Sequence, residues 1–322
     1  MPSKVHVLTG ATSGLGLEAA RRLLAEPASH LIVGARSPEA MAALRLPAEP
    51  DRLVVLPLDL GSLDSTVRFA RAVVERLADR PATSLAANAG LQFTGPRRLT
   101  VDDYEETFQV NLLSHAVLIE LLAPWLAPGA PIVLTASGTH DPGNRLARFF
   151  GFRGGLFPDV ERVARGDLDA TVSIAQQAKD RYATSKLCAI LYAHALARRL
   201  SSGAARVIAF DPGLMPGTGL ARDRSAVEQW AWSTVLPILV RPFPGASTAR
   251  RSGEALAEIL MGRRCAGDSG VHVDHRLERI PGSADSLRRD WQDALDAFVR
   301  RTVSDVARAS DGHRWPTNAT AR

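Results

Sequence analysis

The first sixteen residues constrain the fold more than any other stretch of the chain. The apolar run over residues 4–9 predicts a short buried strand, and residues 17–24 have the periodicity of a helix. A turn that contains Gly10, Gly14 and Gly16 joins the two. Gly10 permits a tight turn, Gly14 lets the main chain approach a pyrophosphate, and Gly16 permits close packing of the helix. The order strand, glycine turn and helix therefore predicts a dinucleotide site with the phosphates at a helix N-terminus.

Apolar strands and amphipathic helices alternate along the rest of the chain. The sequence predicts strands at about residues 4–9, 31–35, 53–58, 83–87, 131–136, 205–210 and 270–274. Long helices are expected at about residues 104–126 and 182–201. This alternation predicts an α/β fold of the Rossmann type, with a doubly wound, mainly parallel seven-stranded sheet and helices on both faces. The ligand site of such a sheet lies at the carboxyl ends of its strands.

The length and composition suit one large α/β core. We therefore expect a single domain over residues 1–306, with an insertion at about 138–181 and a lid over the active site at about 214–245. The polar residues 307–322 are expected to form a loose C-terminal tail.

An arginine follows the second predicted strand. Arg36 stands about where an acidic residue would bind the adenosine ribose hydroxyl of NAD. A guanidinium suits a 2′-phosphate instead, so NADPH/NADP+ is the expected cofactor. The alternative is a solvated arginine at a strand end, since the chain has 39 basic residues and only three of them are lysines.

Tyr182 and Lys186 are scarce residues placed four positions apart on a predicted helix. The chain has only three tyrosines, and its lysines are Lys4, Lys179 and Lys186. Four-residue spacing puts both side chains on one helical face. An ammonium at ~4 Å would lower the pKa of the tyrosine toward ~7, which suits a general acid–base group. The alternative is an ordinary amphipathic helix with one exposed lysine.

The composition argues against several other classes of protein. The net charge of +5 is spread over arginine doublets and does not form the concentrated stripe of a nucleic-acid binding surface. Two cysteines are too few for a disulfide framework, and no metal site is expected. The first strand begins at residue 4, and no apolar run approaches the ~20 residues that cross a bilayer. We expect a cytoplasmic protein with a small-molecule partner, without nucleic acid or an integral membrane segment.

Further motifs resemble those of the short-chain dehydrogenases/reductases. In chain order they are Thr9-Gly10-Ala11-Thr12-Ser13-Gly14-Leu15-Gly16, Asp59-Leu60, Asn88-Ala89-Gly90, Asn111, Ser137, the Tyr182 and Lys186 pair, and Asp211-Pro212-Gly213. The resemblance extends over roughly residues 4–300. Ala87 is a departure, because the family usually has another asparagine there, which puts one stabilising hydrogen bond in doubt.

The resemblance implies four catalytic residues. Tyr182 would protonate the carbonyl oxygen as hydride arrives, and Ser137 would donate a second hydrogen bond. Lys186 would lower the tyrosine pKa and bind the nicotinamide ribose, and Asn111 would hold a water that links Lys186 to solvent. The cofactor-binding residues implied are Gly10, Thr12, Ser13, Gly14, Leu15, Gly16, Arg36, Asp59, Leu60, Asn88, Ala89, Gly90, Tyr182, Lys186, Pro212, Gly213 and Thr218.

The insertion and the lid are expected to select the substrate. The insertion contains aromatic residues at 149, 150 and 152, which would either roof an apolar pocket or cover a surface that relatives use for oligomerisation. The lid is apolar and contains Trp230, which favours a bulky hydrophobic substrate over a membrane-surface or partner-binding patch. Met215, Trp230 and His140 are candidate substrate contacts, although His140 is also placed to cap a turn. The insertion favours a monomer or homodimer.

Within the family, the lid and helix motifs most resemble protochlorophyllide reductase and retinol dehydrogenase-like members, and the arginine-rich chain resembles antibiotic ketoreductases. The expected function is NADPH-dependent reduction of a ketone or aldehyde on a bulky, polycyclic or long apolar skeleton, as in secondary metabolism. The alternatives are reduction of a C=C bond in an enone or protochlorophyllide-like substrate, a non-redox reaction on the same scaffold, and an NADP-binding regulatory protein.

Overall fold

A computed structural model describes residues 3–309, apart from 43, 45, 47–48, 50, 79, 201–202 and 216–244. Its seven strands form one sheet. They are β1 (Lys4–Thr9), β2 (Ser29–Ala35), β3 (Leu53–Pro57), β4 (Ser84–Ala87), β5 (Ala130–Thr135), β6 (Ala205–Asp211) and β7 (Val271–Asp274).

The sheet has the order β3-β2-β1-β4-β5-β6-β7, and all of these neighbours pair in parallel. The chain thus builds one half of the sheet outward from β1, crosses to β4, and builds the other half outward. This confirms the predicted doubly wound α/β fold with seven strands, and each strand lies within two residues of its predicted bounds. The crossover between β1 and β4 opens a crevice at the carboxyl ends of the strands, where such sheets bind ligands.

Helices cover both faces of the sheet. In chain order they are α1 (Gly14–Leu24), α2 (Pro38–Ala42), α3 (Leu63–Leu77), α4 (Glu106–Phe108), α5 (Ser114–Leu122), α6 (Arg145–Phe149), α7 (Val160–Arg165), α8 (Ile174–Arg199), α9 (Ala249–Leu260) and α10 (Arg289–Ala309).

Two apolar layers lie on opposite sides of the sheet. One packs α1 and α9 against side chains such as Leu8, Ile208 and Phe210. The other packs α3, α5, α8 and α10 against side chains such as Val7 and Val207. Consecutive residues of a strand point to opposite faces, which is why Val207 and Ile208 contribute to different layers. Burial on both faces explains the near-continuous apolar runs of β1, β5 and β6.

Three predicted boundaries differ from the structure. Helix α8 begins at Ile174, eight residues before the predicted start, because the Ser173 side chain caps it by accepting from the Gln176 N–H. The helix expected over 104–126 is divided by a π-helical segment, Gln109–Leu113, between α4 and α5. Helix α10 continues to Ala309, so residues 307–309 are helical, while the rest of the expected tail lies outside the described residues.

The insertion contributes to the layer that covers α8. Phe157 stacks on Trp291 of α10 with ring centroids 5.1 Å apart, and Gly155 lies against Leu187 of α8. Within the part of the chain that the structure describes, no helix combines the length and apolar character needed to span a membrane.

Candidate active site

The glycine turn and the end of β4 are bonded to each other through Thr9 and Asn88. The Thr9 hydroxyl accepts from the backbone N–H groups of Asn88 and Ala89 at 2.9 and 3.0 Å. The Asn88 amide nitrogen donates to the Thr9 carbonyl at 3.0 Å, and its oxygen accepts from the Thr135 hydroxyl at 3.2 Å. These bonds fix the ends of β1, β4 and β5 next to one another.

The main chain packs so closely at the glycines of this turn that a side chain there would clash with it. A Cβ on Gly16 would lie 2.1 Å from the Gly10 carbonyl oxygen, and a Cβ on Gly10 would lie 2.7 Å from the Ala89 Cα. Gly10 and Gly14 also have positive φ values of 73° and 58°. The N-terminus of α1 follows at once and presents backbone N–H groups to this turn. The turn therefore fits a pyrophosphate, as the spacing predicted.

The residues predicted to bind the adenosine half also lie at this edge. Arg36 directly follows β2, is exposed, and makes no hydrogen bond or ion pair with the other described residues. Asp59 is exposed after β3, where its carboxylate accepts from the Gly61 N–H at 2.9 Å. Leu60 is buried, and its carbonyl accepts from the Ser114 hydroxyl at 2.7 Å.

Ser137 and Tyr182 meet at the end of β5. Ser137 follows the strand in extended conformation and begins the short helical turn Gly138–His140. Its hydroxyl oxygen accepts from the Thr139 N–H and hydroxyl at 3.3 and 3.2 Å. The Ser137 hydroxyl is also close enough to Tyr182 to lower the pKa of the tyrosine.

The expected lowering of the tyrosine pKa by Lys186 is wrong. Burial raises the pKa of Tyr182 above its ordinary value and outweighs the lowering effect of the Ser137 hydroxyl, while the Asp211 carboxylate raises it further. Lys186 Nζ lies 5.8 Å from the centroid of the tyrosine ring and donates to the Thr135 carbonyl at 2.9 Å. Lys186 is not among the groups that shift the pKa of Tyr182, and Tyr182 holds its proton.

Lys186 and Asn111 both lie against Gly90. A Cβ on Gly90 would be 3.3 Å from Asn111 Oδ1 and 3.6 Å from Lys186 Nζ. Asn111 belongs to the π-helical segment, and its amide nitrogen donates to the Leu91 carbonyl and the Ser185 hydroxyl at 3.0 and 2.9 Å. Such a segment widens the helix and turns its side chains, a device common at functional sites. Burial lowers the pKa of Lys186 to about 8, against an opposing effect of Asp211.

Comparison with known proteins agrees with this geometry. The sequence pattern of the short chain dehydrogenases matches residues 4–147. Polyprenol dehydrogenase of Mus musculus is 33% identical over an alignment of 335 positions, which covers 98% of this chain and 88% of that protein.

The chain belongs to the short-chain dehydrogenase/reductase family.

Other members of the family share the fold or part of the sequence. The WW domain-containing oxidoreductase of Danio rerio is 33% identical over 249 residues, which are 76% of this chain and 55% of that protein. The chain thus spans about half the length of such relatives. The crystal structure of NADPH-bound carbonyl reductase from chicken fatty liver has a TM-score of 0.62 at 18% identity, covering 88% of this chain and all of that one. At that identity the likeness concerns the fold.

Asp211 is a feature of this family member that the sequence argument did not single out as a site residue. The carboxyl is buried, accepts from the Gly213 N–H at 2.9 Å, and lies 3.2 Å from where a Cβ of Gly138 would be. Burial raises its pKa, partly offset by the Gly213 hydrogen bond and nearby histidines. The sequence did contain a sign of this site. An acidic residue directly before Pro-Gly, at the end of β6, must face either the ligand crevice or the core.

The predicted nicotinamide-side loop is only partly described. Pro212 accepts from the Ser252 hydroxyl at 2.6 Å, and Gly213, with φ 74°, lies against Gly245 and His275. Backbone bonds from Leu214 to Gly245 and from Ser247 to Leu214 bring together the two ends of the predicted lid. Thr218 and Trp230 lie outside the described residues.

Two predicted substrate contacts are buried side chains. Met215 is 6% exposed and packs in the apolar layer that includes α1 and α9. His140 is 3% exposed, and its Nδ1 lies 2.7 Å from the Ser137 carbonyl oxygen. His140 therefore fits the alternative of a histidine that caps the turn.

The insertion borders the site through Phe152. Its ring centroid lies 6.0 Å from that of Tyr182, at a tilt of 51°. Phe149, three residues earlier, is 82% exposed. Different parts of the insertion therefore have different neighbours: Phe152 flanks Tyr182, whereas Phe157 packs against Trp291 of α10.

Proposed function

We propose that the protein is an NADPH-dependent carbonyl reductase that acts on a ketone or aldehyde with a bulky hydrophobic skeleton. The observation that carries the proposal is the convergence of Ser137, Tyr182 and Lys186 beside the glycine turn, at the carboxyl edge of the sheet. A proton donor, a hydrogen-bond donor and a cation in one cleft are the groups that hydride addition to a carbonyl needs.

Each residue has a separate role in this reaction. When bound, the cofactor supplies the hydride to the carbonyl carbon. The Tyr182 hydroxyl donates its proton to the carbonyl oxygen, and the Ser137 hydroxyl donates a hydrogen bond to the same oxygen as negative charge develops. The raised pKa of Tyr182 suits this order of events, because the phenol keeps its proton until a stronger base, the alkoxide, forms beside it.

Tyr182 must regain a proton after each turnover. Lys186, with a pKa of about 8, lies on the same helical face and exchanges protons readily near neutrality. Asn111 Oδ1 and Lys186 Nζ both border Gly90, so a water held between them would connect the lysine to solvent. One proton enters from solvent for each carbonyl that is reduced.

The substrate class follows from the side chains around Tyr182. Phe152 offers an aromatic surface next to the reacting hydroxyl. The relative from Mus musculus is named as a dehydrogenase of polyprenol, a long apolar alcohol. Both observations favour a large apolar substrate over a small polar one.

The exposed, unpaired Arg36 supports NADPH as the cofactor. Replacement of Arg36 by Asp should weaken NADPH binding by about tenfold or more and leave NADH binding unchanged or stronger, because one charge-assisted contact to the 2′-phosphate is lost. Cofactor fluorescence titration measures both affinities. Arg76→Asp, the same change in the last turn of α3, is the matched control. An unchanged NADPH preference would assign phosphate recognition to another residue.

The reaction itself is tested with NADPH deuterated at the transferring position of the nicotinamide. The panel contains benzil, decanal, propanal and citral, and citral offers both a C=O and a C=C bond. The proposal predicts deuterium on the former aldehyde carbon of citral, with one NADPH consumed for each alcohol formed. Deuterium on the C=C bond would favour an enone reductase. NADPH binding without consumption across the panel would contradict the proposal and favour a binding protein.

A further inference from the structure

Four of the eight histidines lie near the ends of β5, β6 and β7 or on the adjoining part of α8. His140, His272 and His275 are buried to 3%, 4% and 3% exposure, and His194 is on α8. The described residues hold no group of three His, Cys, Asp or Glu side chains suited to a metal ion. The cluster therefore calls for another explanation, and the contacts of His140 supply it.

His140 holds the main chain of Ser137 at two points. The imidazole Nδ1 lies 2.7 Å from the Ser137 carbonyl oxygen, and the His140 backbone N–H donates to the same oxygen at 3.2 Å. A carbonyl oxygen only accepts, so Nδ1 must carry a proton. Nε2 is buried without a hydrogen-bond partner among the described residues, so a proton there would have no acceptor, which favours the tautomer with the proton on Nδ1 alone. With two donors on one oxygen, the peptide between Ser137 and Gly138 cannot rotate without breaking both bonds.

The position of His140 is itself fixed from two sides. Its ring meets the ring of His272, on β7, edge to face with centroids 5.4 Å apart. Its carbonyl accepts from the Gly155 N–H of the insertion at 3.0 Å. The buried His272 ring has a pKa lowered to about 3, mainly by burial, and so stays neutral against its neighbour. Neither ring nitrogen of His272 nor Nε2 of His140 has a hydrogen-bond partner among the described residues.

We propose that His140 is a positioning residue: its Nδ1–H bond to the Ser137 carbonyl, backed by the His272 ring, directs the serine hydroxyl toward Tyr182. The inference rests on the proposed carbonyl reduction. It goes further in two ways. A neutral histidine with its proton on Nδ1 would hold Ser137 in position, and the insertion and β7 would in turn hold that histidine.

The first test needs no substrate. Nitrogen-15 NMR of the histidine side chains, in the full-length protein, should show one neutral imidazole with a protonated Nδ1 and an unprotonated Nε2. His140→Asn identifies that signal by removing it. If the His140 signal instead shows a protonated Nε2, the proposal is overturned. This result is independent of whether any carbonyl compound reacts, so it remains decisive if the proposed function fails.

The second test compares substitutions of His140 that place a hydrogen-bond donor at different distances from the main chain or remove it. In His140→Asn the amide nitrogen can take the place of Nδ1, whereas His140→Gln carries its amide one carbon farther and His140→Phe keeps only a ring. With benzil as the substrate, kcat should fall ~10- to 100-fold in the Gln and Phe variants, since a displacement of ~1 Å has such effects. The Asn variant should stay within ~3-fold of wild type. KM and the Kd for NADPH should change little.

His30→Asn is the control for loss of a histidine, because His30 lies at the start of β2, away from the carboxyl ends of the strands. NADPH titration and thermal unfolding identify any variant that does not fold, and the comparison is then made among the variants that do. Wild-type kcat in His140→Phe would overturn the proposal. Equal losses in the Asn and Gln variants, with both folded and binding NADPH, would overturn it as well, because a purely structural histidine would give that result.

Discussion

Tyr182 and Lys186 share one face of α8, and both side chains are buried in the cofactor-free protein. Burial acts on them in opposite directions, raising the pKa of the phenol and lowering that of the ammonium. In each case the neutral form is favoured. A tyrosine that keeps its proton is suited to donate it to the substrate. A lysine that loses a proton easily is suited to return one to the tyrosine.

The lowered pKa of Lys186 has a consequence for stability. Its pKa falls from 10.5 to about 8 on folding, so the unfolded chain binds the lysine proton more tightly than the folded chain does. The charged lysine therefore destabilises the fold below about pH 8, and this penalty disappears as the pH rises from about 8 to 10.5. The site retains a group that costs stability, as expected for a functional residue.

We predict that Lys186→Met raises the free energy of unfolding of the cofactor-free protein at neutral pH by about 2 kcal/mol. The figure is the relief of the buried charge less the lost hydrogen bond to Thr135. Urea unfolding measures it, and the advantage should shrink toward pH 10.5. Lys4→Met, at an exposed position, should change stability little. A less stable Lys186→Met variant at neutral pH would contradict this reading.

At the scale of elements, the strands and the glycine turn could be predicted well from the sequence, whereas the insertion could not. Each strand is a short apolar run bounded by turn residues, and local pattern suffices to find it. The start of α8 was missed although Ser173 and Gln176 have the Ser-x-x-Gln spacing of a capping box and the Ser173 side chain caps the helix. The π-helical segment around Asn111 depends on its contacts with Leu91 and Ser185, which lie far away in sequence.

The insertion should influence the choice of substrate through Phe152. Phe152→Ala removes the aromatic surface beside Tyr182, so kcat/KM for benzil should fall about tenfold, or ~1.4 kcal/mol, while that for propanal should change little. Steady-state NADPH oxidation with both substrates measures the difference. Phe149→Ala, at an exposed position in α6, is the matched control. Equal effects of Phe152→Ala on benzil and propanal would remove Phe152 from the substrate pocket.

At the scale of the whole molecule, α10 covers the outer faces of α5 and α8. Leu295 and Val299 are fully buried in this layer, and Arg199 of α8 pairs with Asp296 at 3.2 Å. The insertion supports α10 through the Phe157 and Trp291 stack. The sequence argument attributed this coverage to the insertion alone, because the amphipathic pattern of α10 shows that it packs but not on which partner.

The covered helix pair predicts a particular assembly state. We expect the purified protein to have the mass of a single chain by size-exclusion chromatography with light scattering, since α10 covers the outer faces of α5 and α8 and leaves neither free for contact with a second copy. Leu295→Asp should uncover that surface and promote association or loss of stability. A stable wild-type tetramer would contradict the account of α10.

The grouping of Ser137, Tyr182 and Lys186 was predictable because each of them follows a strand or occupies a fixed helical position. The contacts behind this group were not predictable. Asp211 belongs to a quoted motif and His140 was a named candidate, yet their burial and contacts depend on β7, where His272 lies in no recognisable pattern. Parallel strands distant in sequence bring these side chains together, and periodicity within one strand carries no information about its neighbours.

The most direct measurement compares turnover in Tyr182→Phe with that in wild type, using citral and benzil with NADPH. Tyr182→Phe removes only the hydroxyl, and the account predicts a fall in kcat of about 1,000-fold or more with the Kd for NADPH almost unchanged. Tyr104→Phe, on a tyrosine that packs against Phe298 by its ring, should retain wild-type turnover. Substantial turnover by Tyr182→Phe, with normal folding and NADPH binding, would contradict the central claim.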